Sequence, residues 1–483
     1  MTKSNIGLIG LAVMGENLVL NMESKGFTVS VFNRTTEKVK KFVNGRAKGK
    51  NINGTYSLEE FVNSLEKPRR VMMLVKAGQA VDDYIIKLIP LLEKGDIIID
   101  GGNSNYRDTI RRTNYVESKG LSYIGTGVSG GEEGALKGPS MMPGGSPGAW
   151  PYIKDIFLDI AARATDDTPC AGWIGNDGAG HFVKMVHNGI EYGDMQIISE
   201  AYYLMKNLLF MKHDSMQKVF AEWNKGDLES YLVQITAEIM AYTDDDGEPL
   251  LEKILDSAGQ KGTGKWTGIS ALEQGIPVTL ITEAVFARCL STQKDLRTKA
   301  SDKISGTVAR APADPGRFIR DLKDAVFASK IISYSQGFDL MRKASNEYKW
   351  DLKLGDIAML WRAGCIIRSV FLDDIKRAYT KNENLENLLL DDFFRNKVER
   401  AQEGWRRVIA LAVVNGISIP AISSALAYFD GFRSDILPAN LIQAQRDYFG
   451  AHTYERVDKP RGKFYHTNWT GKGGDTSSST YDV

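Results

Sequence analysis

Cysteine is scarce in this chain: three in 483 residues, Cys170, Cys289 and Cys365, with no CxxC spacing. A sparse and odd set argues against a disulfide framework or a zinc knuckle and implies a reducing compartment. No apolar run approaches the roughly 20 residues needed to span a bilayer. Neither charge sign dominates, with 61 Lys and Arg against 60 Asp and Glu. No general pull toward nucleic acid or an anionic membrane is therefore expected. The first residues, MTKSNIGLIGL, run directly into a strand pattern, leaving no room for a signal peptide. The cytoplasm is the expected location. What the chain does have is 43% hydrophobic and 25% charged residues, which suits a globular protein of two or three domains with ample core.

Strand patterns at 5–11, 28–32, 70–75, 96–100 and 121–126 alternate with amphipathic helical patterns from 36, at 80–92 and at 108–119. Such alternation predicts a parallel α/β sheet covered on both faces, a Rossmann-like domain over 1–177. A helix near 152–164 and a strand near Trp173 close it. From 178 to 437 long helical patterns dominate, for example 228–242, 318–343 and 395–414, so this part is expected to be all-α. It contains an echo. Ile197, Ile198 and Ser199, then Leu204, Met205 and Lys206, then Trp223-x-x-Gly226 recur as Ile331, Ile332 and Ser333, Leu340, Met341 and Arg342, and Trp361-x-x-Gly364. That order suggests an internal duplication. Residues 438–483 turn polar and aromatic and end in GKGGDTSSSTYDV, a composition expected of a disordered tail.

One stretch organises the rest: GAGHFVKMVHNGIEY at 178–192. At 100° per residue, Lys184, His187, Asn188 and Glu191 share a helical face, with Tyr192 at its edge. Phe182, Val186 and Ile190 face the other way. A solvated amphipathic face is the bland reading, but a base, an acid and several donors lie within nine residues of a chain holding only five His. Burying such groups costs several kcal/mol unless something polar meets them. An active-site wall is the better account.

The turn after the first strand is Gly10, Leu11, Ala12, Val13, Met14, Gly15. Gly10 suits a tight turn, Gly15 lets helix and strand approach, and the helix start offers N–H groups to a pyrophosphate. Ala12 replaces the usual middle glycine, and its methyl should hold the pyrophosphate slightly farther off. The second strand ends in Asn33, Arg34 and Thr35, with no acidic residue for a ribose 2′-hydroxyl. A cation beside amide and hydroxyl groups suits a 2′-phosphate, so NADP is expected rather than NAD. Loops at Val75, Lys76 and Ala77, at 100–104 around Asn103, and at 127–131 with Ser129, Gly130 and Gly131 also follow strands, on the same edge of the sheet.

The glycine turn, GVSGGEEGALKGPSMMPGG at 127–145, the 178–194 stretch, ILDSAGQKGTGKW at 254–266 and LPANLIQAQRDYFGAHTYER at 437–456 together resemble the decarboxylating 6-phosphogluconate dehydrogenases of the β-hydroxyacid dehydrogenase superfamily. The likeness covers essentially the whole chain, and non-decarboxylating relatives lack the last two blocks. It implies NADP-dependent oxidative decarboxylation of 6-phosphogluconate to ribulose 5-phosphate in the pentose phosphate pathway. It also implies a homodimer whose tail (438–483) reaches the partner subunit. By matching motif, Lys184 is the general base and acid, and Glu191 the acid that protonates the product carbon. Substrate contacts fall to Asn103, Ser129, Gly130, Gly131, His187, Asn188, Tyr192, Lys261 and Arg288, with Arg446 and His452 from the partner subunit. Cofactor contacts fall to Gly10, Leu11, Ala12, Val13, Met14, Gly15, Asn33, Arg34, Thr35, Val75, Lys76, Ala77 and Asn103.

Rival readings stand beside it. Gly259-x4-Gly264-Lys265 matches most of a Walker A loop, but Trp266 follows where a magnesium-binding hydroxyl is needed, and the preceding segment reads as helix. A metal-dependent mechanism would need a carboxylate cluster. The only run, Asp244, Asp245 and Asp246, reads more simply as an exposed turn, and His181 and His187 lie about 120° apart on a helix. No metal is expected. A non-decarboxylating NADP-dependent β-hydroxyacid dehydrogenase and a non-enzymic NADPH sensor remain as alternatives.

Overall fold

The computed structural model describes residues 3–473 and 477–478. Two compact units result, 1–425 and 426–483.

In the first unit, β1 (Ile6–Ile9) leads through the Gly10 turn into α1 (Val13–Ser24) and then β2 (Val29–Phe32), β3 (Ile52–Gly54), β4 (Arg70–Met73) and β5 (Ile97–Asp100). Helix α2 (Tyr106–Glu117) follows, then β6 (Ser122–Ser129), β7 (Ser140–Gly145) and β8 (Gly175–Asn176). The sheet order is β3-β2-β1-β4-β5-β6-β7-β8. The β1 to β6 strands pair in parallel. Alternate residues feed two cores: Leu8, Met72, Ile97 and Ile99 face one layer, while Ile9, Val71, Met73 and Ile98 face the other. That double burial is why these strands read as unbroken apolar runs. The sheet is not wholly parallel, however. β7 runs antiparallel to β6 over six residue pairs. Pro143 and two glycines within SMMPGG mask it in sequence, since proline and glycine are poor strand formers.

The helical part is built on two long helices, α3 (Ala179–Asn207) and α6 (Pro315–Tyr348), with α4 (Thr263–Glu273) and α5 (Thr279–Ser291) packed on α3. Pro315 opens α6 at its first position and Asp314 caps it, accepting the Arg317 N–H at 2.9 Å. A buried ion pair, Lys330 Nζ to Asp194 Oδ2 at 2.6 Å, joins the two long helices. The echoed triplets lie on α3 and α6, and Trp223 and Trp361 each stand at the C-terminal end of the helix that follows.

The C-terminal unit, taken alone, is more than a bare polar extension. Helix α7 (Ala439–Gly450) and a two-stranded hairpin, Tyr454–Glu455 with Phe464–Tyr465, gather around Asp447. That fully buried carboxylate accepts from His466 Nδ1 at 2.8 Å, the Thr467 N–H at 2.9 Å and Trp469 Nε1 at 2.8 Å. A polar residue thus serves as the hub an apolar core would otherwise supply, and the hydrophobic pattern could not announce it. The unit begins at 426, twelve residues before the turn to polar composition at 438. The expected disordered end lies partly outside the described residues, at 474–476 and 479–483.

Candidate active site

The carboxyl ends of β1 and β4 form the point where strand order reverses, the place where open α/β sheets bind ligands. Gly10 has φ +107°, and a Cβ there would stand 2.4 Å from the Leu74 carbonyl. At Gly15 a Cβ would fall 2.0 Å from the Gly10 carbonyl. Gly10 is thus required by the close pass of the neighbouring strand end and its positive φ, and Gly15 by the approach of α1 to the turn. Ala12 is the extended N-cap of α1 and supplies no side-chain cap, which leaves the first helical N–H groups open. Leu11 is buried, but Val13 is 55% exposed. Asn33 Oδ1 accepts the Leu11 N–H at 3.1 Å and its Nδ2 donates to the Thr35 carbonyl at 3.1 Å. Asn33 therefore braces the two strand ends against each other. Arg34 and Thr35 stand exposed beyond it, and Arg34 has no hydrogen bond or ion pair among the described residues. Lys76 is exposed, with Val75 and Ala77 half-buried, on the loop after β4. This edge offers open N–H groups and an uncommitted guanidinium, a donor set suited to a dinucleotide carrying an extra phosphate.

The loop after β5 is fixed from below. Asp100 accepts the Gly102 N–H at 3.0 Å and Ser104 Oγ at 2.6 Å, which leaves Asn103 exposed at the crest.

Helix α3 is buried on nearly every side from 179 to 194, so the solvated-face reading fails. Lys184 is 5% exposed and His187 fully buried. Gly127 on β6 makes room for this: a Cβ there would lie 2.4 Å from Lys184 Cβ. Burial pulls the Lys184 amine down to about 8 from an ordinary 10.5, with Glu191 and then Cys365 acting in the opposite sense. Burial drives His187 well below its usual range and Lys184 adds to the effect, so the imidazole is neutral. Asn188 Nδ2 donates to Thr263 Oγ1 at 3.2 Å, which turns its Oδ1 toward His187 Nδ1 at 3.0 Å. The tautomer follows: Nδ1–H donates to Asn188, and Nε2, 3.4 Å from Ser129 Oγ, is the acceptor. Lys184 Nζ lies 3.5 Å from His187 Nδ1.

Glu191 is half-buried one turn beyond His187, its Oε2 3.9 Å from Nδ1. Burial raises its pKa; Lys184, Arg288 and Lys261 oppose the rise, and Asp194 reinforces it. A lysine moved down and a glutamate moved up on the same helix form a base and acid pair whose pKa values are drawn toward each other. The Arg288 guanidinium from α5 lies over the Tyr192 ring at 3.6 Å. Gly264 at the start of α4 permits that stack, because a Cβ there would stand 2.7 Å from the ring. Lys261 is exposed on the loop just before α4. Gly130, with φ +117°, and exposed Gly131 extend the end of β6 past Ser129.

Lys184, His187, Asn188, Glu191, Tyr192, Ser129, Arg288 and Lys261 therefore share one region. Arg446 and His452 belong to the C-terminal unit. Arg446 Nη1 donates there to Gln443 Oε1 at 3.0 Å, and His452 Nδ1 lies 2.9 Å from Ser478 Oγ. Three neighbours escaped the sequence reading: Thr263, Cys365 beside Lys184, and Trp361, edge-on to His187 at 5.5 Å. Trp361 was flagged only as part of the echo and Thr263 only as part of the 254–266 block, while Cys365 carries no local signal. The three aspartates at 244–246 form a turn, and Asp244 and Asp246 both hold Lys253 Nζ at 2.6 Å.

The family description "NAD binding domain of 6-phosphogluconate dehydrogenase" matches residues 5–175, and "6-phosphogluconate dehydrogenase, C-terminal domain" matches 180–469. The chain is 60% identical over 484 residues to a Mus musculus protein named "6-phosphogluconate dehydrogenase, decarboxylating", covering 100% of both. A Haemophilus influenzae protein of the same name is 58% identical over 481 residues, covering 100% of this chain and 99% of the other. A solved Plasmodium falciparum 6-phosphogluconate dehydrogenase, described as apo, with its cofactor NADP+ and with its substrate 6-phosphogluconate, superposes with a TM-score of 0.92 at 47% identity. The match covers 96% of this chain and 100% of that one.

Proposed function

This chain belongs to the 6-phosphogluconate dehydrogenase family, and we propose that it catalyses the NADP-dependent oxidative decarboxylation of 6-phosphogluconate to ribulose 5-phosphate and CO2. One observation carries the reading beyond the family name. Lys184 is buried, its pKa is brought to about 8, and it shares a helix with a Glu191 whose pKa is raised.

Neutral Lys184 takes the proton of the C3 hydroxyl as hydride leaves C3. Bound NADP supplies the hydride acceptor, held by the Gly10–Gly15 turn, Asn33, Arg34, Thr35, Val75, Lys76, Ala77 and Asn103. The lysine, now an ammonium, hydrogen-bonds the new C3 carbonyl and draws electron density toward it as the C1–C2 bond breaks and CO2 departs. With the ammonium proton passed to the C3 oxygen an enediol remains. Glu191 then delivers a proton to the carbon that lost CO2 while Lys184 takes back the hydroxyl proton, which gives the ketose. Neutral His187, Asn188, Ser129, Gly130 and Gly131 orient the sugar hydroxyls and carboxylate. Tyr192, Lys261 and Arg288 meet the phosphate, with Arg288 held flat on Tyr192. Because a protonated amine does the polarising, the reaction proceeds without a metal. The test is NADP reduction by 6-phosphogluconate in EDTA with trapping of CO2. Equimolar NADPH and CO2 support the reading, whereas NADPH without CO2 leaves a non-decarboxylating dehydrogenase.

The active site is shared in a cytoplasmic homodimer, with Arg446 and His452 of the partner subunit completing the phosphate pocket. The functional division is a cofactor domain at 1–177, a helical substrate domain at 178–437 and the segment 438–483. Lys184→Met and Arg446→Ala dimers are each expected to be nearly inactive. Mixed under subunit exchange, about half the dimers pair unlike chains with one intact site each, so activity returns to roughly a quarter of wild type. Demonstrated exchange without recovery contradicts sharing.

A further inference from the structure

Hydride transfer needs the reacting atoms within about 3–3.5 Å, and a misplacement of about 1 Å costs on the order of 100-fold. The proposed cofactor and substrate sites lie on different layers of the first unit, so whatever fixes their spacing acts on the rate. The first turn of α2 makes that connection. It begins three residues after Asn103. The Tyr106 hydroxyl lies 3.3 Å from Ser270 Oγ on α4 and 3.2 Å from the Tyr348 hydroxyl at the end of α6, and it accepts from Arg107 Nε at 3.2 Å. Arg107 also donates to Glu273 Oε1 on α4 at 3.0 Å. Thr109 Oγ1 meets His181 Nδ1 on α3 at 2.7 Å, one turn before Lys184. The Tyr106 ring stands edge-on to Phe182 at 4.9 Å, and a Cβ on Gly178 would lie 2.6 Å from the Tyr106 carbonyl. Helix α4 in turn starts two residues after Lys261, and its Thr263 holds Asn188.

We propose that Tyr106 is a positioning residue: its hydroxyl, shared between Ser270 and Tyr348, sets the distance from the Asn103 loop to the Lys184 helix and the Lys261 loop. This rests on the dehydrogenase reading above. The ring packing alone would hold the layers together; the hydroxyl fixes their register.

Tyr106→Phe keeps the ring and removes the joint. With substrate deuterated at C3, kcat is expected to fall about tenfold and its primary isotope effect to rise, because hydride transfer becomes slower. Binary dissociation constants for NADP and for 6-phosphogluconate, measured separately, should stay within about twofold. Ser270→Ala should act in the same direction, more weakly, and the double variant should be no slower than Tyr106→Phe alone. An unchanged kcat and isotope effect, a loss of binary affinity equal to the loss of rate, or fully additive slowing would overturn the proposal. Should Tyr106→Phe not fold, Ser270→Ala is judged by the same readouts. Hydrogen exchange separates this inference from the function on which it rests. Faster exchange at both 101–105 and 259–264, with the Gly10 turn unchanged, supports the joint even if wild type does not oxidise 6-phosphogluconate. Unchanged exchange at both loops refutes it.

Discussion

The sheet edge at Gly10 and the helix around Lys184 solve opposite problems. At the edge the groups proposed to bind the cofactor are main-chain N–H groups and an exposed Arg34, all close to water. Around Lys184 the working groups are side chains stripped of water, and three of them, Lys184, His187 and Glu191, are displaced from their ordinary titration ranges by burial. Recognising a charged cofactor needs open donors at fixed positions. Moving a proton at neutral pH needs a base and an acid brought toward each other in pKa, and burial is how this fold does it. Binding and chemistry thus call for different degrees of exposure, and the molecule separates them onto two elements.

Variants that act on one side should leave the other intact. Lys184→Met removes the base proposed for the C3 hydroxyl, so kcat should fall by about 10²–10⁴ while NADP affinity holds, as read from absorbance at 340 nm and cofactor titration. Weakened NADP binding in that variant would merge the two regions. Glu191→Gln should slow proton exchange at C1 of the product by about 100-fold or more, followed by NMR in D2O, with substrate affinity nearly unchanged. Unaltered exchange would place the acid elsewhere. On the other side, Arg34→Ala should weaken NADP by about 10- to 150-fold, the loss of roughly 1.5–3 kcal/mol of charge-assisted contact, and leave NAD almost untouched. Equal losses for the two cofactors would mean that Arg34 does not meet the 2′-phosphate.

The two regions were also unequally legible. The cofactor edge depends on local chemistry: a strand, Gly10 in a conformation few other residues adopt, and Gly15 where a side chain would strike the Gly10 carbonyl. A short stretch of contiguous sequence suffices for that, as it did for the clustering of Lys184, His187, Asn188 and Glu191 on one face. What covers that face was invisible. Thr263, Trp361 and Cys365 come from far downstream, and although Thr263 lies in the 254–266 block and Trp361 in the echo, neither pattern ties them to the Lys184 helix. β7 was missed because its pairing with β6 overrides a local sequence unsuited to a strand. The polar 438–456 stretch hid its fold because the organising group is a carboxylate, Asp447.

The central claim is that burial turns Lys184 into a neutral base, and the pH dependence of kcat/KM for 6-phosphogluconate at saturating NADP tests it most directly. Only the unprotonated amine accepts the hydroxyl proton, so kcat/KM must rise with pH until the lysine has lost its charge. With the amine drawn down to about 8, the account predicts a rising limb that levels above that pH. A limb still climbing toward the ordinary lysine value of 10.5, or one that survives in Lys184→Met, would contradict it.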